Sequence, residues 1–123
     1  MSRVVQFEIQ AEQPDRAARF YAEALGWTIG PPDGPTGRRP VATGETAGDV
    51  IQGVIVPRSL GAPGTINIIS VPSADGYAAR VGRNGGKVLT QKLKVPGVGY
   101  MIYCQDTEGV TFGLLQSDPA VKD

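Results

Sequence analysis

The chain contains no histidine and a single cysteine. Without histidine there is no imidazole acid–base chemistry, no Ser/His/Asp triad and no Cys/His dyad, and without a cysteine cluster the usual zinc ligand sets are missing too. Cys104 has no partner for an internal disulfide, and its setting in GYMIYCQD reads as a small buried hydrophobe on a strand. Any chemistry must therefore use carboxylates, tyrosine, lysine, arginine or amides. Charge imbalance is also missing: twelve basic and twelve acidic residues cancel, with no run of one sign. Such a chain carries no electrostatic footprint for nucleic acid or an anionic membrane surface. No apolar run approaches the roughly 18 residues of a membrane span, and the N-terminus lacks the basic-then-apolar pattern of a signal peptide. These absences predict a soluble, cytoplasmic protein with neither nucleic acid nor a membrane as partner.

What is present suits one domain with a real core in 123 residues. From Arg3 to Gln10 the pattern alternates, with Val5, Phe7 and Ile9 on one face and Gln6, Glu8 and Gln10 on the other, which predicts a strand. Pro14 opens a helix, Asp15 stands near its positive end, and Ala17, Phe20, Tyr21, Ala24 and Leu25 form its apolar stripe up to Gly26. WTI starts a second strand, GPPDGPTGRRP is a loop, a short strand follows around Val41 to Thr43, and after a turn in GETAGD another strand runs through VIQGVIVP. After RSLGAPG a similar series begins: TINIISV as a strand, SADGYAARVGRN as a helix, then KVLTQKL, YMIYCQD and TFGLLQ as strands. The polar tail SDPAVKD is expected to fray.

A shift of 60 residues lays strand on strand and helix on helix, with Gly26 on Gly86 and IQGVI on TFGLL. This predicts an internal duplication of a strand–helix–three-strand unit and an α+β fold. The sheet faces away from the helices are left to enclose something. In the first strand that inner face carries Gln6, Glu8 and Gln10, polar groups that need partners when half buried.

QFEIQAEQPDRAARFYAEALGW, SVPSADGYAARVGRNGGKVL and VPGVGYMIYCQDTEGVTFGLLQ resemble the vicinal oxygen chelate superfamily, which includes glyoxalase I, the bleomycin-resistance proteins and the extradiol dioxygenases. The resemblance implies a single glyoxalase-like domain over residues 1–123, with module 1 at about 1–57 and module 2 at about 64–118. It implies two βαβββ modules forming a half-open β-barrel crevice with the helices outside. It further implies a metal held by one residue from the first and last strand of each module. Carried onto this chain, those positions are Gln6, Gly53, Ile66 and Gly113. Only Gln6 has a donor, and one neutral amide cannot hold a divalent cation against water. No metal and no cofactor are expected; a displaced site formed by Glu8 and a nearby residue would need several carboxylates or carbonyls converging.

By alternation the inward face holds Gln6, Glu8, Gln10, Ile51, Gly53, Ile55, Ile66, Ile68, Met101, Tyr103, Thr111, Gly113 and Leu115, with the two glycines leaving room on its floor. A mostly apolar cavity with a few polar handles suits a small, partly hydrophobic molecule. Glu8 is its only acid, and desolvation would push it toward the range of a general base; alternatively it pairs with a basic side chain at the rim. Tyr103 either donates its hydroxyl to an oxyanion or is a core aromatic, and Gln6 either binds ligand or tethers a strand. Trp27 and Phe20 are expected to pack in the core. Arg38, Arg39, Lys92 and Lys94 either cover the mouth or lie in solvated loops. Two functions remain: a homodimeric binding protein of the drug-resistance type, or a metal-independent lyase or isomerase with Glu8 as base and Gln6 or Tyr103 steadying an enolate. A metal-dependent glyoxalase-type lyase is a third reading.

Overall fold

The computed structural model describes residues 2–33, 37–44, 50–58 and 64–122. They fall into two units, Gln6–Ile66 and Asn67–Asp123 with Met1–Val5. The turn expected in GETAGD and the break expected in RSLGAPG lie largely outside the described residues.

The first unit is built from β1 (Arg3–Ala11), α1 (Pro14–Leu25), β2 (Thr28–Ile29), β3 (Arg39–Ala42) and β4 (Gln52–Pro57). β4 lies parallel to β1 and antiparallel to β3, which pairs with β2. Pro14 supplies the fixed φ of the first helical turn, and Gly26 ends the helix at φ 74°, a left-handed conformation that costs glycine nothing. Ala18, Val41 and Ile55 are buried between helix and strands, with Phe7, Tyr21 and Trp27 packed against them. The Tyr21 and Trp27 rings stack at 5.0 Å. Trp27 thus packs as expected, but Phe20 does not: it is 61% exposed, and Leu25 56%. The helix is rotated so that Ala17, Ala18 and Tyr21 face the sheet, because the small alanines let the helix lie close to the strands.

The second unit has the same order with one insertion: β5 (Gly64–Ser70), whose first three residues belong to the first unit, α2 (Ala74–Arg83), β6 (Lys87–Val88), β7 (Leu93–Val95), β8 (Gly99–Gln105) and β9 (Thr111–Ser117). β9 lies parallel to β5 and antiparallel to β8. Ser73 caps α2, its Oγ accepting the Gly76 N–H at 3.0 Å. Val71, Ala74, Ile102, Cys104 and Leu114 form the core under this helix. KVLTQKL, expected as one strand, is divided into β6 and β7. More residues lie between Val88 and Leu93 than between their partners Cys104 and Met101, so the excess bulges. Thr90 Oγ1 accepts the Tyr103 N–H at 3.1 Å and keeps that donor satisfied across the bulge.

The tail is anchored rather than frayed through Val121. Val121 is 8% exposed, its carbonyl accepts the Gly97 N–H at 3.0 Å, and the Asp118 N–H donates to Val98 at 2.8 Å. Both units are α+β in the βαβββ order, which is the fold class that the repeat predicts. No helix among the described residues is long and apolar enough to cross a membrane.

Candidate functional site

Strand register decides which side chains share a face. β1 and β4 pair Gln6 with Gln52, Glu8 with Val54 and Gln10 with Val56, while Phe7 pairs with Gly53 and Ile9 with Ile55. Cross-strand partners point the same way. Gln6, Glu8 and Gln10 therefore share the face away from α1 with Gln52, Val54 and Val56. Gly53 and Ile55, expected beside Glu8, lie instead on the α1 side with Phe7 and Ile9. Ile51 precedes β4 and is 44% exposed, so it too departs from the inward position expected of it. The cause is a partner offset one residue short of the 60-residue repeat: Glu8 opposes Val54, whereas Ile68 opposes Gly113.

In the second unit alternation holds. Ile68 pairs with Gly113, which pairs with Tyr103; Met101 pairs with Leu115 and Gln105 with Thr111. Ile68, Met101, Tyr103, Thr111, Gly113 and Leu115 thus share the face opposite α2. Ile66, on the same side of β5 as Ile68, is buried.

The two glycines do not leave open floor. A methyl at Gly53 would run into the Phe7 ring, and one at Gly113 would come within 2.7 Å of Ile68 Cδ1 and 3.2 Å of Met101 Sδ. Neighbouring side chains already occupy the space that a missing side chain provides.

Glu8 is wholly buried. Its Oε1 accepts from Gln10 Nε2 at 3.0 Å, and its Oε2 meets Arg38 Nη1 at 3.4 Å. The loop delivers Arg38 to this position: the Asp33 N–H donates to the Arg38 carbonyl at 2.7 Å, and the Gly37 N–H to the Asp33 carbonyl at 2.9 Å. A buried carboxylate demands such a partner, and of the two states expected for Glu8 this is the paired one. Arg38 is the residue whose role the loop composition hid.

Beside this pair opens a cavity of about 440 Å³ lined by Gln6, Pro31, Pro32, Asp33, Arg38, Pro40, Val54 and the Gly53 backbone. Arg38 borders both the cavity and Glu8, whereas Glu8 is not among the lining residues. Of the other cations expected in loops, Lys94 lies exposed on β7, and Arg39 and Lys92 are held elsewhere. Arg39 donates to Asp15 at 2.8 Å and to the Gly30 carbonyl at 2.9 Å. Lys92 pairs with Asp75 at 2.9 Å, and that hydrogen bond raises the ammonium above its usual range. Burial pushes the Cys104 thiol up, as suits an unreactive core residue.

The donor set does not fit the metal that the family resemblance implies. Beside Gln6 stands Gln52, a polar residue that the repeat overlooked although it is alone in the apolar run VIQGVIV. Its Oε1 accepts the Thr43 N–H at 2.7 Å and its Nε2 donates to the Gly44 carbonyl at 3.2 Å, so the amide is tied to the β3–β4 connection. Ile66, Gly53 and Gly113 bring no side-chain donor. Among the described residues no three histidine, cysteine, aspartate or glutamate side chains cluster to hold an ion. Hard divalent cations need several converging oxygens.

Residues 6–115 match the model of the glyoxalase-like domain family. A Mycobacterium tuberculosis protein named "Putative glyoxylase CFP32" is 28% identical over 119 residues, covering 91% of this chain and 43% of that protein. The chain thus spans less than half the length of this relative. A "Glyoxylase-like domain-containing protein" of Didymella fabae is 31% identical over 116 residues, covering 87% of this chain and 88% of that one. Among solved structures, the methylmalonyl-CoA epimerase of M. tuberculosis superposes with a TM-score of 0.69 at 16% identity, over 94% of this chain and 88% of that chain. At that identity the likeness is one of fold.

Proposed function

We propose that this chain, which belongs to the glyoxalase-like domain family of the vicinal oxygen chelate superfamily, binds a small, partly hydrophobic organic molecule in the cavity beside Gln6 and Arg38, without a metal centre. One observation carries this reading: Glu8, the acid expected to act as the base, is buried against Arg38 instead of facing the space a ligand would fill. A general base must come within hydrogen-bond reach of the proton it takes. What the cavity does offer is recognition. Gln6 brings an amide that can both donate and accept, Arg38 a guanidinium edge, and three proline rings a wall without donors. Its volume is in the range of small-molecule sites.

One feature favours the alternative, a metal-independent lyase or isomerase. Arg38 is shared between Glu8 and the cavity, so an anionic ligand that drew the guanidinium away would uncover the acid. Glu8 would then act as the base, with Gln6 steadying the enolate. The name of the curated relative, glyoxylase, is that of an enzyme.

The test is a calorimetric and thermal-shift screen of EDTA-treated protein against aromatic and heterocyclic compounds. Saturable binding that survives EDTA and weakens about tenfold in Gln6→Leu is the expected result, about 1.4 kcal/mol. One tightly bound divalent ion per chain, or binding abolished by EDTA, would overturn it. Solvent deuterium exchange into a bound carbon acid, present in the wild type and absent in Glu8→Gln, would transfer the case to the enzyme.

A further inference from the structure

We infer that a second groove of the first unit, with no lining residue in common with the Gln6–Arg38 cavity, binds a small organic anion that carries an aromatic or acyl group. The groove has a volume of about 590 Å³ and lies between α1 and the end of β1, with Arg58 and Thr65 also in its lining. Its apolar surface comes from Ile9, Ala17 and Tyr21, together with Phe20, which stands 61% exposed. A lone exposed hydrophobe is ordinary. Phe20 is not alone, because Arg16 lies one turn earlier on the same helical ridge and lines the same groove.

The charges there are unequally committed. Arg58 donates through Nη2 to Glu12 at 2.9 Å, and its backbone N–H reaches the Ala11 carbonyl at 2.8 Å. That pair consumes the acid of the groove. Arg16 has no ion pair or hydrogen bond among the described residues, so the groove keeps one uncompensated guanidinium. Gln13, also in the lining, makes no side-chain cap to α1, which leaves its amide available beside the first helical turn. A guanidinium binds carboxylate and phosphate through the same forked geometry, and an aromatic ring beside it shields that contact from water. An anion alone would leave the apolar wall unused, and a neutral aromatic would leave Arg16 unused. The class that uses both is an aryl or acyl carboxylate or phosphate.

The experiment is a titration of the isotope-labelled full chain followed by backbone amide NMR, using phenyl phosphate, phenylacetate and neutral phenylacetamide. The two anions are expected to saturate and to shift Ala11, Ala17 and Thr65, with phenylacetamide at least tenfold weaker. Arg16→Gln, an exposed helix position that should leave the melting temperature unchanged, is expected to weaken phenyl phosphate at least tenfold. Phe20→Ser should weaken it as well. The inference is overturned by any of four results: no saturable shift, equal affinity for the neutral amide, undiminished affinity in Arg16→Gln, or shifts centred on Gln6 and Val54.

Discussion

The two units repeat one order of elements and differ in what their sheets present away from the helix. In the first, that face carries Gln6, Glu8, Gln10 and Gln52; Gln10 and the loop residue Arg38 both bind Glu8, and Gln52 is tied to Thr43 and Gly44. In the second, it carries Ile68, Met101, Tyr103 and Leu115, and its one gap, at Gly113, is filled by neighbours. Glu8 and Ile68 occupy matching places in the repeat, and both are wholly buried. The difference shows how a duplicated frame divides its labour. The face of one copy is mostly packed side chains, whereas the other holds a buried carboxylate that meets Arg38 of its own loop, and the Gln6–Arg38 cavity opens beside that loop.

The sharpest way to break this comparison is to remove each buried group in turn. Ile68→Ala should cost about 4 kcal/mol in urea unfolding, because a close-packed site cannot collapse. Arg38→Ala should cost about 3 kcal/mol by leaving Glu8 buried without its cation, while the pair replacement Glu8→Leu with Arg38→Met should come close to neutral. If Arg38→Ala is silent, the two units do not differ as described. The glycines come next. Gly53→Ala and Gly113→Ala should each lose about 2 kcal/mol through overpacking, against Phe7 in one unit and Ile68 in the other, and ligand binding to an open floor is not the reason. Phe20→Ser should change stability by less than about 0.5 kcal/mol, as for other exposed positions, whereas a core phenylalanine would cost several times more.

The smallest effect is one of pH. Burial holds the Cys104 thiol above its ordinary 9.0, so the folded state binds that proton more tightly than the unfolded chain. Its contribution is therefore fully present below 9.0 and is lost as pH rises through the raised value. Cys104→Ser should lack this alkaline loss, and a thiol reagent should leave the native wild type unlabelled near neutrality.

Much of this contrast was legible in the residues. β1 alternates without ambiguity, α1 is bounded by Pro14 and Gly26, and the second unit's inward face follows from period two. β4 was not legible, because Val54, Ile55 and Val56 are all buried and a run apolar on both faces gives alternation nothing to choose between. The helix stripe slipped for a related reason: alanines at 17, 18, 22 and 24 allow more than one packed face, and the sheet selects the one with Ala18. Arg38 sits in a proline- and glycine-rich loop whose composition says only that the chain turns. Its meeting with Glu8, thirty residues earlier in the chain, is a tertiary contact without a local signal.

The central claim is that Glu8 and Arg38 form one structural unit that closes the acid off from the cavity. A double-mutant cycle measures it directly, from the unfolding free energies of the wild type, Glu8→Gln, Arg38→Gln and the double variant. The account predicts a favourable coupling of about 2 kcal/mol, as for a pair withdrawn from solvent. A coupling below about 0.5 kcal/mol, the size of an exposed ion pair, would mean that Arg38 does not hold the acid and would contradict the account.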